Sequence, residues 1–330
     1  MKTPAFLAPY LALCLGQNPK HQLVVITKQF GLPLVGILVF LMLWSGGARN
    51  IETSLGTFPG PVEVFSQFQN LMDEHQAEKE KALNFYARQE ARNAERVELD
   101  PSYVPTIRPY TGAPTFVDQI KTSLFTVFTA FVVGSLIAIP IGILIGMSEN
   151  LYRAANPIIQ LFKPVSPLAW LPLVTLVVSA LYVTESPMFE TAFIVSAITV
   201  LLSSIWSTII NTAVGVATVN RDLLNVSKVL RLNPWTHITK ILIPFAIPMI
   251  FTGLRISLGI AWMVLIAAEM LSQSPGLGKF VWDQFQNGSS ESMSRIMVAV
   301  LVIGLIGFLL DRLMLILQKF VSWDKSAVLR

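Results

Sequence analysis

After residue 120 the chain alternates long apolar stretches with short, mostly basic connections. A membrane-crossing helix needs about 20 mostly apolar residues, and six stretches qualify: 30–44, 123–147, 158–183, 189–210, 245–271 and 296–317. The longest break in the pattern is residues 46–120. Phe58-Pro59-Gly60-Pro61 opens that region as turn punctuation. Residues 64–98 then read as a charged helix, with opposite-sign side chains three or four apart. Asp100-Pro101 ends the helix, and Pro105, Pro109 and Pro114 keep the next stretch extended. The region reads either as a solvated insertion or as a contact surface for an external partner.

A second polar island, residues 221–248, is short, basic and amphipathic. Asn220 or Asp222 can cap a helix start. Leu223, Val226 and Leu230 recur at helical spacing, while Arg221, Lys228 and Arg231 point elsewhere. Asn233-Pro234 is expected to break the helix, because the residue before proline is pushed out of the α region.

Composition supports a polytopic membrane protein. Charged residues make up 13% of the 330 positions and apolar ones 53%, with mean hydropathy +0.60; soluble domains carry about 25% charged residues. The net charge of +4 does not call for nucleic acid, because the placement of Lys and Arg between spans decides their meaning. An inside N-terminus puts Lys2, Lys20, Lys28, Arg153, Lys163, Arg221, Lys228, Arg231, Lys240, Lys319, Lys325 and Arg330 on the cytoplasmic side. The loop around 184–187 then lies outside with no Lys or Arg, and 272–294 lies outside with Lys279 alone. The expected layout is N-in/C-in: a cytoplasmic tail (1–29), a first span (30–45), an external loop with a charged helix (46–120), and a core of five spans (121–330) with a cytoplasmic loop at 211–243. The N-terminus reads as an interfacial or loosely helical tail. Its apolar run holds two prolines and lacks a small-x-small cleavage site.

Enzymatic signatures are absent. The chain has no phosphate loop, no nucleophile elbow and no H-E-x-x-H pair. Cys14 is the sole cysteine, and His21, His75 and His237 are too scattered for metal spacing. His75 and His237 are expected in plain solvated roles. Two ionisable residues fall in the fifth span. Arg255 lies deep enough that it must pair with another group, receive backbone carbonyls or line an anion path. Glu269 is near the outer end and within reach of water. Fourteen residues apart, they are separated by about 21 Å along one helix. In the third span, Pro164, Pro167 and Pro172 crowd about three turns. That run reads as a pathway wall, as a kink, or as a helix beginning only after Pro167.

Residues 225–244 resemble the E-A-A loop of ABC importer permeases, with pattern E-A-A-x3-G-x9-I-x-L-P. Asn225, Val226 and Ser227 take the E-A-A places, Arg231 stands at the glycine, and Ile241, Ile243 and Pro244 fit the ending. The wider frame is similar to the nitrate/sulfonate/bicarbonate permease group: FPGP (58–61), PVSPLAWLP (164–172), NTAVGV (211–216), IP-x3-P-x4-GLRI-x2-GIAW (243–262), AAEM (267–270), GLG (276–278) and LLDRLM (309–314). Nitrate permeases are the nearest likeness.

The resemblance implies an all-α chain with about six transmembrane helices, the type I ABC importer permease fold, in a bacterial inner membrane. It implies a permease homodimer, cytoplasmic ATPase subunits that bind ATP and Mg, and an external substrate-binding protein; this chain would hold no cofactor of its own. Leu223, Asn225, Val226, Ser227, Val229, Leu230 and Arg231 would form the ATPase-coupling helix. Pro167, Trp170, Pro172, Arg255, Trp262 and Glu269 would border the translocation pathway. Nitrate is the first substrate expected, with nitrite or cyanate sharing the route. Bicarbonate or sulfonate is the alternative within the same machine, and an ion-coupled secondary transporter is the alternative of a different class.

Overall fold

The computed structural model describes residues 24–25, 27–53, 56–183, 189–289 and 291–321, apart from the side chains of Gln29, Arg221, Val226 and Lys228. The N-terminal tail, Cys14, His21 and the last residues lie outside the described part. A π-helical turn, Thr27–Gly31, leads into α1 (Leu32–Ala48). Its 17 residues reach about 26 Å at 1.5 Å each, short for a span. A two-residue antiparallel bridge of β1 (Glu52–Thr53) and β2 (Gly56–Thr57) then turns the chain into α2 (Pro61–Leu99).

The apolar stretches fold as helices, with corrections at the short first one, in the third span and in the loop expected after the fourth. α3 (Phe116–Met147) starts at a capping box in which Thr115 and Asp118 satisfy each other's backbone N–H groups. Pro140 sits inside α3 without ending it. The expected third span is not one helix. It divides into α4 (Glu149–Phe162) and α5 (Pro167–Leu181), bent by 97°. Ser166 caps α5 by accepting the Leu168 N–H at 3.3 Å, and Pro167 takes the first helical position, where its missing N–H costs nothing. The chain then forms α6 (Thr191–Ala217), α7 (Arg221–Val229), α8 (Pro234–His237), a π-helical turn (Ile238–Leu242), α9 (Ile243–Ser272), α10 (Leu277–Asn287) and α11 (Ser292–Val321). Residues 211–217, expected in a loop, remain helical in α6. Four of these helical segments are long and apolar enough to cross a membrane, or five if the bent pair counts as one span.

α6 is the centre of the bundle, enclosed by α3 on one side and α9 on the other. Both seams are backbone-close. A Cβ on Gly142 of α3 would lie 2.6 Å from Thr212 Cβ and 2.9 Å from the Ile209 carbonyl oxygen. A Cβ on Gly253 of α9 would lie 2.8 Å from Asn211 Cβ and 3.1 Å from the Ser207 carbonyl oxygen. Across the second seam the Thr208 hydroxyl donates to Ser257 Oγ at 2.8 Å. α11 docks on α9 through Leu258, Leu265, Val298, Leu310 and Met314, and Trp262 Nε1 donates to the Ile303 carbonyl at 3.0 Å.

The insertion is a built arm. The first part of α2 packs Val64 and Leu71 into the main core, and the Arg295 guanidinium reaches Glu74 Oε1 at 2.5 Å. Beyond Glu74 the extended strap 103–115 runs back antiparallel along α2. Gln89 both donates to the Arg108 carbonyl and accepts its N–H, each at 2.9 Å. Asn93 donates to the Thr106 carbonyl at 3.2 Å, and the Tyr86 hydroxyl accepts the Tyr110 N–H at 3.0 Å. The Tyr110 hydroxyl donates to Glu78 Oε1 at 2.6 Å, which together with Lys81 holds the Glu78 carboxyl below its ordinary range. His75, expected in a solvated role, is instead half-buried with Nδ1 2.7 Å from Thr115 Oγ1.

The seam predicts a contrast. Gly142→Ala should cost about 1–3 kcal/mol despite the helical preference for alanine, because Thr212 and backbone block the added methyl. Gly304→Ala meets open space and should leave the midpoint unchanged or raised. Thermal unfolding of both variants in detergent checks this.

Candidate functional site

α7 and its surroundings form the candidate site, at one end of the bundle. Asn220 Oδ1 accepts the Asp222 N–H at 2.9 Å and starts the helix. The helix ends earlier than the Asn233-Pro234 break. Arg231 adopts φ 49°, the left-handed conformation, and the Leu232 N–H returns to the Ser227 carbonyl at 3.2 Å. This is a Schellman closure, which normally carries glycine because a side chain there is strained. The position expected to hold the E-A-A glycine takes the left-handed conformation, which Arg231 adopts despite its side chain. Asn233 and Pro234 serve a different purpose: Asn233 Oδ1 accepts the Thr236 N–H at 2.7 Å and caps α8.

Two sides of α7 differ. Leu224 packs inward with Val219, Leu242, Ala246 and Ile250. Ser227 is also inward, 5% exposed, with its hydroxyl 2.7 Å from His237 Nδ1; His237 is half-buried, which corrects the solvated role expected for it. Outward stand Leu223 (42% exposed), Leu230 (63%), Val229 (82%) and, from α8, Trp235 (73%). Asn225 and Arg231 are also exposed. The Val226 side chain lies outside the described part.

The proline-rich bend lies between α4 and α5. The Phe162 ring stacks on Trp170 at 5.8 Å and on Trp206 of α6 at 6.0 Å. The indole N–H groups of Trp170 and Trp206 are enclosed without an acceptor among the described residues. Pro167 opens α5 and Pro172 lies within it.

Three further expected residues take defined partners. Arg255 forms a two-point ion pair with Asp311 of α11: Nε reaches Oδ1, and Nη2 donates to Oδ2 at 3.0 Å. Asp311 stands in the LLDRLM motif, but nothing in the sequence pairs it with Arg255. Trp262 is 5% exposed and packs against Gly307. Glu269, expected within reach of water, is 0% exposed. Its carboxylate accepts from the Ser123 hydroxyl at 2.8 and 2.9 Å and from the Gly278 N–H at 2.9 Å. Pro167, Trp170 and Pro172 therefore cluster at the bend, while Arg255, Trp262 and Glu269 are tied into separate contacts along α9.

Residues 138–323 match the family described as binding-protein-dependent transport system inner membrane component. The chain belongs to this family. It is a permease subunit of an inner-membrane transport system, and not an enzyme. The nitrate import permease protein NrtB of Synechocystis sp. is 40% identical over 203 residues, covering 62% of this chain and 69% of that protein. The bicarbonate transport system permease protein CmpB of Synechococcus elongatus is 32% identical over 300 residues, covering 91% of this chain and 89% of that protein. An inward-facing MetNI methionine ABC transporter structure shares the fold, with TM-score 0.54 and 15% identity over 63% of this permease and 96% of that chain.

The Arg255–Asp311 pair is open to a direct test. Asp311→Ala strands the guanidinium within a candidate span and should destabilise the permease by about 3 kcal/mol. Arg255→Met with Asp311→Leu should recover most of the loss. Unfolding midpoints of the two single variants and the double variant measure the coupling.

Proposed function

We propose that this permease imports a planar, monovalent oxyanion, nitrate first, at the expense of ATP hydrolysed by cytoplasmic partner subunits, and that α7 is the helix through which those subunits act. The carrying observation is that Leu223 and Val229 of α7, Leu230 just after it and Trp235 of α8 are left exposed at one corner of the fold. A single apolar side chain left exposed on a helix is ordinary, but four of them on one fixed corner suit insertion into a groove on another protein. Leu224 and Ser227 hold the other side of α7 against His237 of α8 and the π-helical turn that leads into α9, so a push on the ridge reaches the bundle.

The orientation that goes with this reading is N-in/C-in, with α7 and α8 in the cytoplasm and the α2 arm outside. A homodimer supplies the second half of the pathway, an external binding protein delivers the anion, and ATP and Mg reside in the ATPase subunits. The relatives support the substrate class: one is named for nitrate and another for bicarbonate, and both ions are planar, singly charged and three-oxygen. The bend between α4 and α5 supports a pathway wall. Its two indole N–H donors lack acceptors among the described residues, and irregular backbone at membrane depth persists where it lines a cavity or meets other protein. Arg255, already matched by Asp311, and the buried Trp262 and Glu269 take structural contacts along α9, apart from that bend.

Leu230→Asp and Leu223→Asp place a charge on the ridge without touching the packed side of α7. Each should abolish co-purification of the ATPase subunits, because a carboxylate in an apolar groove is costly, while membrane insertion and thermal stability stay as in the wild type. ATPase recovery at wild-type levels with both variants would remove α7 as the docking helix.

A further inference from the structure

Glu269 stands apart from the other ionisable groups in the bundle. It is completely enclosed, no cationic side chain pairs with it among the described residues, and it joins α9 to both α3 and α10. The carboxylate accepts the N–H of Gly278, in the first turn of α10. The same Ser123 hydroxyl that donates to the carboxylate accepts the neighbouring N–H of Leu277 at 2.9 Å. Two backbone donors that the start of a helix leaves unpaired are thus satisfied from outside α10, one by α9 and one by α3. The carboxylate also sits at the positive end of the α10 dipole.

The G-L-G run is shaped around this contact. Gly276 has φ 156°, which side-chain-bearing residues rarely adopt, and a Cβ there would overlap the Glu269 carboxylate. A Cβ on Gly278 would overlap the Ile266 carbonyl oxygen of α9. Leu277, between them, is 0% exposed in the main core. Phe280 packs on Phe116 at the start of α3, with ring centroids 4.8 Å apart. Further along α10, Val281 packs on the main core and the helix lies against α11, while Lys279 pairs with Asp283 along its own helix and Phe285 is 61% exposed.

The two ends of α9 complete the argument. α9 is continuous from Ile243 to Ser272. At its base, the cluster of Leu242, the last residue of the π-helical turn, and Ala246 is the seat of Leu224 in α7. Its other end carries Glu269. We infer that Glu269 is a positioning residue that fastens α10 to the α9 rod, so that displacement of the α7 end is delivered to the helix at the opposite mouth of the bundle. Ser123 is its co-anchor on α3. The inference rests on the importer reading, in which that mouth is the one facing the binding protein.

The test uses the full permease with its co-encoded ATPase and binding protein in lipid nanodiscs. Two quantities are read: amide hydrogen exchange over residues 276–283, and the rise in ATP hydrolysis when binding protein and nitrate are added. Glu269→Ala should speed exchange roughly tenfold, as loss of a helix cap does, and abolish most of the rise. Glu269→Gln keeps an oxygen facing the Gly278 N–H and should restore both. Should Glu269→Ala fail to assemble, Ser123→Ala removes one hydroxyl and should give a smaller loss in both quantities. Unchanged exchange, or a full rise in hydrolysis despite fast exchange, in Ser123→Ala and in any assembled Glu269→Ala, would overturn the inference. If the wild type binds no ATPase, the importer reading fails on its own, and the exchange data alone then decide whether Glu269 holds α10.

Discussion

Helices in lipid gain little by hiding apolar surface from one another, since the lipid tails are as apolar as leucine. What holds them is close packing and a few polar contacts. The rest of this permease depends on that constraint being met at α6. Gly142 and Gly146 of α3 press on one side of α6, Gly253 of α9 presses on the other, and Gly215 of α6 itself admits Ala246 and Met249. The Thr208–Ser257 hydroxyl contact adds a directed bond in the same seam. With α3, α6 and α9 locked, the more exposed pieces have a fixed frame: α7 at one end, α10 at the other, and α11 with the arm along the flank.

That frame gives the functional parts their geometry. α7 shows an apolar ridge outward only because Leu224 and Ser227 are committed inward. The Schellman closure at Arg231 then turns the chain sharply enough for α8 and the π-helical turn to lead directly into α9. A residue with a side chain in that position carries roughly 1–2 kcal/mol of backbone strain. Tertiary contact on both sides, through Ser227 with His237 and Leu224 with Leu242, holds it there.

Much of this is legible in the sequence, and the misses have physical causes. Span positions can be read because length and hydropathy depend on local composition alone. The same averaging hides the break at 163–166: Ser166-Pro167 is a helix-start signal inside an apolar window, and only the reading that begins the helix after Pro167 gives it weight. The charged helix is recognisable, but not the strap, because Gln89, Asn93 and Tyr86 look like ordinary solvated side chains until residues 103–110 lie beside them. Arg255 visibly needs a partner, yet Asp311 lies in a span motif 56 residues away. Glu269 is harder still, since its partner Ser123 is 146 residues distant. The nearby signal is the G-L-G run, whose glycines make sense once the Glu269 carboxylate lies against Gly276 and the α9 backbone lies against Gly278.

On the proposed reading, the helices join a docking corner at α7 to an opposite mouth at α10, with energy supplied by partner subunits. The most direct test of this account is uptake in proteoliposomes holding the permease with its co-encoded ATPase and binding protein. ATP is sealed inside, and labelled nitrate and labelled bicarbonate are offered in parallel. The account predicts nitrate accumulation that requires both ATP and the binding protein. Accumulation of either ion by the permease alone, without ATP, would contradict it.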